Sequence, residues 1–81
     1  MFNSVKPVTL NGKAREIVDP AIARNRGYYP WTYGYCLETE RWMLDRAATD
    51  MDRARQEIVL IPGADPHGKN NREWFEIWRK R

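Results

Sequence analysis

The chain has 81 residues, with four Trp, four Tyr and one Cys, and a formal net charge of +3. One domain of that length must have a core dense in large side chains to be stable, and a lone Cys36 rules out an intramolecular disulfide framework and a multi-cysteine zinc site. No apolar run reaches the eighteen or so residues a membrane helix needs, and MFNSVKPVTL lacks the charged-then-apolar pattern of a secretion signal, so the expected setting is cytoplasmic, with no membrane partner.

The charge is unevenly placed. Residues 1–27 sum to +3, residues 28–60 to −2 and residues 61–81 to +2, giving basic ends around an acidic middle. That is a weak footprint for a nucleic-acid binder, which gathers positive charge on one face.

Along the chain, Asn11-Gly12 comes first. Both residues accept the positive φ of a two-residue turn, so Val5–Leu10 and Lys13–Val18 are predicted to form a β-hairpin, with Leu10, Val8, Arg15 and Ile17 on one face. Pro7 cannot donate to a ladder, which places the first strand at an edge. Asp19-Pro20 then has the form of a helix start, and Gly27 of its stop, around a short turn of helix through Ala21, Ile22 and Ala23.

The segment GYYPWTYGYC follows. It places five of the chain's ten aromatic residues within eight positions, and from Tyr29 onward they alternate: Tyr29, Trp31, Tyr33, Tyr35. In an extended backbone one face would be almost wholly aromatic. Such a ladder is either a core floor, on which Leu44, Met51, Trp74 and Trp78 would pack, or a surface for a partner. Tyr28, Tyr29 and Tyr35 carry too many hydroxyls to bury together in so small a body, so part of the cluster is expected to be exposed, with Arg24 and Arg26 as a basic rim.

LETERWMLDRAATDMDRARQEI has neither Gly nor Pro and is rich in helix formers, and Leu44, Ala47, Ala48, Met51 and Ile58 recur at spacings of three and four. A helix over roughly Thr39 to Glu57 is predicted, with Arg41, Asp45, Arg46, Asp50, Asp52 and Arg53 on a solvated face. Ile58–Ile61, apolar on both faces, is either a short buried strand or the buried end of the helix, which periodicity does not separate, and its β-branched content favours the strand. After a turn-rich loop, Asn70 or Asn71 is expected to cap a final helix over REWFEIWRKR. The fold class expected is α+β: a small single domain over residues 1–81, with an N-terminal hairpin and short antiparallel sheet packed against one long helix, and a short C-terminal helix.

No phosphate loop, paired His or nucleophile elbow appears. His67, beside Asp65, Asn70 and Asn71, could serve a metal-dependent nuclease, but a single His flanked by Pro and Gly is more simply a turn residue; Cys36 between Tyr35 and Leu37 reads as a small buried hydrophobe. The chain is therefore expected to be no enzyme and to need no cofactor.

Two functions fit the aromatic, basic-rimmed surface of Tyr28, Tyr29, Trp31, Tyr33, Tyr35, Arg24 and Arg26. One is a protein-binding inhibitor or adaptor, of the kind phages and mobile elements use to block host proteins, an analogy of size and composition. The alternative is single-stranded or flexible nucleic acid, with rings stacking on bases and Arg24, Arg26, Lys13, Arg15, Arg79, Lys80 and Arg81 on phosphates. An acidic helix beside the ladder would repel phosphate and favours the first. A homodimer burying the patch would remove the argument for a foreign partner.

Overall fold

The computed structural model describes residues 7–63 and 73–81. Asn11 and Gly12 take φ of 52° and 77°, both in the left-handed region, and their turn pairs β1 (Val8–Leu10) antiparallel with β2 (Lys13–Arg15), Val8 opposite Arg15. Val8, Leu10 and Arg15 are buried on the face expected for them. The predicted start of the first strand at Val5 lies outside the described residues.

Asp19 caps α1 (Pro20–Asn25), its Oδ1 accepting from the Ala21 N–H at 2.8 Å, and Gly27 ends the turn with φ 91°. The aromatic segment supplies two short strands, β3 (Tyr28–Pro30) and β4 (Tyr35–Cys36), and α2 follows over Arg41–Arg53. This helix is shorter than predicted. Arg55 adopts a left-handed φ of 57°, and the Gln56 N–H donates back to the Met51 carbonyl at 2.8 Å, closing the C-terminus four residues before Glu57. Ile58–Ile61 is a strand as predicted, within β5 (Ile58–Gly63).

The C-terminal segment departs from the sequence reading. Trp74–Lys80, predicted as part of a helix, is a strand, β6. β6 is the central strand of the larger sheet: it pairs antiparallel with all of β5 on one side, from Ile58–Arg79 to Gly63–Trp74, and with β3 and β4 on the other. A central strand buries both faces, and apolar residues at positions 74, 75, 77 and 78 satisfy that as well as they satisfy a helical stripe. The expected caps Asn70 and Asn71 lie outside the described residues.

Beyond β5, residues Glu16–Val18 run parallel to it; the Leu60 N–H donates to the Glu16 carbonyl and the Val18 N–H to the Leu60 carbonyl, each at 2.9 Å. Helices cover both faces of the sheet. Leu44, Ala48 and Met51 of α2 pack with Val8, Leu10, Ile58, Leu60, Phe75 and Ile77 on one face, while Ala23 of α1 packs with Val18, Val59, Ile61 and Trp78 on the other. The single covering helix of the sequence reading is thus one of two layers, which is why Ile58–Ile61 is apolar in every position.

The hairpin is fixed to α2 by charge. Arg15 donates to Asp52 at 2.6 and 3.1 Å and to the Leu10 carbonyl at 2.9 and 3.2 Å; Asn11 Nδ2 donates to Asp52 at 2.8 Å, and Arg41 to the Thr9 carbonyl. The Arg15 and Asp52 side chains are 8% and 13% exposed. Asp52, expected on a solvated face, instead forms the seat of the hairpin, while Arg41 is exposed as expected and still reaches the Thr9 carbonyl.

Candidate functional site

The ladder Tyr29–Tyr35 does not run as one extended strand. Pro30 pairs with Trp78 and Tyr35 with Phe75, so four residues, Trp31 to Gly34, face two on β6, Glu76 and Ile77. The excess is absorbed by a bulge: the Trp31 and Thr32 N–H groups both donate to the Ile77 carbonyl at 3.1 Å, and Thr32 Oγ1 accepts from the Ile77 N–H at 2.9 Å. A threonine hydroxyl thus takes the place of a backbone carbonyl in the ladder, and a bulge re-aims the side chains around it.

The consequence is a division of the predicted surface. Trp31 and Tyr35 lie half-buried against the α2-side core, in agreement with a core-floor role for Trp31. Tyr33, which the core-floor alternative would bury with Trp31, is 85% exposed. Of the expected partners of the floor, Leu44 and Met51 are on this side, but Trp78 belongs to the opposite face with α1. Trp31 and Tyr35 line a cleft of about 290 Å³ with Trp42, Met43, Arg46 and Asp50 of α2. Trp42 is 63% exposed. It was not among the residues singled out in the sequence, although its place off the Leu44–Ala48–Met51 stripe is a signal: two residues before Leu44 is about 200° of helix rotation away.

The remaining predicted residues gather elsewhere. Tyr28 turns to the α1 face beside Trp78. Its hydroxyl donates to Glu57 at 3.5 Å, and burial, reinforced by the Glu57 charge and that bond, raises its pKa above the ordinary tyrosine value. The Arg24 guanidinium lies 5.0 Å from the Trp78 ring centroid, and Arg79 and Arg81 lie 5.2 and 4.8 Å from that of Tyr29. Arg26 pairs with Glu16 at 3.1 Å. Arg24, Gly27, Tyr28, Tyr29, Pro30 and Arg81 line a second cleft of about 460 Å³.

The cations of the nucleic-acid reading divide likewise. Arg15 is buried on Asp52 and Lys13 reaches the same carboxylate at 3.7 Å, so neither joins the β3 region. The Arg15 hydrogen bonds, helped by Asn11, hold the Asp52 carboxyl well below the usual carboxylate range, against burial that would raise it.

Cys36 is buried, and its Sγ donates to Glu38 at 3.2 Å. His67 and Asp65 lie outside the described residues. Among the described residues no helix is long and apolar enough to cross a membrane. No family model matches this chain, and no curated protein or solved structure does.

Proposed function

We propose that this chain is a small non-enzymatic binding protein of the inhibitor or adaptor class, which receives an apolar side chain of a partner protein in the cleft between α2 and the β3–β4 segment. The observation that supports the reading is the exposure of Trp42, at 63%, beside half-buried Trp31 and Tyr35. A tryptophan on the outer side of a helix adds little to the core, whereas Trp and Tyr are the residues that anchor interfaces, at the edge of a pocket they can help to fill. The charges beside it, Arg46 and Asp50, have opposite signs, which suits a protein partner of mixed charge better than a polyanion.

Site-specific photo-crosslinking tests this. A photoreactive phenylalanine analogue placed at Trp42 or Tyr33 is expected to capture a defined protein, and the same group at exposed Arg53 is not. Trp42→Ala should weaken binding of the captured protein by about thirtyfold, a loss of about 2 kcal/mol, with thermal unfolding nearly unchanged. Capture no greater than at Arg53, or capture only of a second copy of the chain, overturns the reading.

A further inference from the structure

We propose that the β3 region carries a second binding site, separate from the α2 cleft, which takes the phosphate backbone of single-stranded nucleic acid on Arg24 and Arg81. The first ground is the partner accounting of the cations there. Arg26 is matched by Glu16 at 3.1 Å and Lys80 by Glu57 at 3.6 Å. Arg24, Arg79 and Arg81 meet no carboxylate among the described residues; each is held on an aromatic ring instead.

A ring neutralises nothing. It occupies the flat face of a guanidinium and leaves its N–H edge available, and a guanidinium has five such donors arranged in a fork that matches a phosphate. Arg79 and Arg81 share one ring, Tyr29, but Arg79, level with Ile58 on the α2-side face, is not in the cleft lining, whereas Arg81 is.

The second ground is shape. The 460 Å³ cleft has Arg24 and Arg81 in its lining, and between them Gly27, Tyr28, Tyr29 and Pro30. The Arg81 N–H donates to the Gly27 carbonyl at 3.0 Å, which ties the end of β6 to the turn after α1 and sets the spacing of the two basic side chains. Arginine rather than lysine fills both basic positions of the cleft, and guanidinium groups backed by aromatic rings are surfaces on which unpaired bases stack. A membrane surface would call for an apolar residue projecting among the cations, and the cleft lining is Tyr, Gly, Pro and Arg. Glu57 and Glu16 bound the site on the Tyr28 side and limit it to Arg24 and Arg81.

The test is fluorescence anisotropy of labelled oligothymidylate and oligouridylate with the full chain over a range of salt. Two phosphate contacts predict a slope of log affinity against log salt of about −1.4, a loss of roughly sevenfold between 50 and 200 mM salt. Arg24→Ala and Arg81→Ala should each weaken binding by at least fivefold and reduce the slope by about 0.7, while Arg53→Ala and Trp42→Ala leave both unchanged. Arg81→Lys should recover the slope but not the full affinity, since it restores charge without the fork. Because Trp42 is outside this site, failure here leaves the α2 cleft reading standing, and the reverse also holds. No binding at low salt, an equal loss in Arg53→Ala, or equal affinity for polyglutamate or anionic lipid vesicles overturns the proposal.

Discussion

Arginine does opposite work in the hairpin region and the β3 region. At the hairpin, Arg15 is buried against Asp52 and the Leu10 carbonyl, and Asn11, Lys13 and Asp52 complete a closed network. Beside β3, Arg24, Arg79 and Arg81 rest on aromatic rings and meet no carboxylate among the described residues. The hairpin sheet has only two short strands, too little to hold itself, and it needs polar contacts to α2 that are fully satisfied. β3 is already fixed by pairing to the central strand β6, so its cations are not required for the fold. The difference separates charges that build structure from charges the fold does not require.

Breaking the closed network should have the largest effect. Asp52→Ala leaves the buried Arg15 guanidinium without its counter-charge and is expected to cost about 3 kcal/mol, read by urea unfolding. Arg24→Ala or Arg81→Ala should cost less than about 1 kcal/mol, the worth of an exposed cation–π contact. Equal losses in the two regions would remove the distinction.

Acid sharpens the same contrast. The folded-state pKa of Asp52 lies below its unfolded value, so the unfolded state binds more protons across that window and stability rises with pH. Its contribution is fully present above about pH 4 and is lost as pH falls through the folded value. Asp52→Asn should therefore flatten the acid limb of the stability curve below about pH 4, while Arg81→Ala leaves that limb as in the wild type. An acid limb unchanged by Asp52→Asn would mean that the ion pair does not govern acid stability.

How much of this was legible in the sequence follows from how local each signal is. Asn11-Gly12 and Asp19-Pro20 act through the φ angles and caps of their own residues, and both elements form where they were expected. Ile58–Ile61 was legible because its β-branched residues suit a strand buried on both faces. Trp74–Trp78 was not, because apolar residues at those positions fit a helical stripe and a two-faced strand alike, and only the partners β3, β4 and β5 decide between them. The single-faced geometry of the aromatic segment was illegible for a related reason. Strict alternation from Tyr29 to Tyr35 assumed an unbroken strand, and the Thr32 hydroxyl bond that breaks it is a contact with a residue 45 positions away. Asp52 was assigned to solvent since nothing in α2 itself announces that Arg15 will cover it.

The smallest effect expected is at Arg55, an exposed arginine that belongs to neither class. It joins α2 to β5 with φ 57°, a conformation that glycine adopts without strain and that costs an arginine about 1 kcal/mol. Arg55→Gly should therefore stabilise the fold by about 0.5–1 kcal/mol, a gain reduced by the greater freedom glycine has in the unfolded chain. The position also lines a cleft of about 530 Å³ shared with Arg15 and Asp52, so the substitution asks whether a third cation near that carboxylate matters. If the closed network is complete without Arg55, the gain appears in full, and it is the same in Asp52→Asn as in the wild type. A loss of stability in the wild-type background that vanishes in Asp52→Asn would instead place Arg55 within the network, and the hairpin region would then depend on long-range charge as well as on the contacts of Arg15.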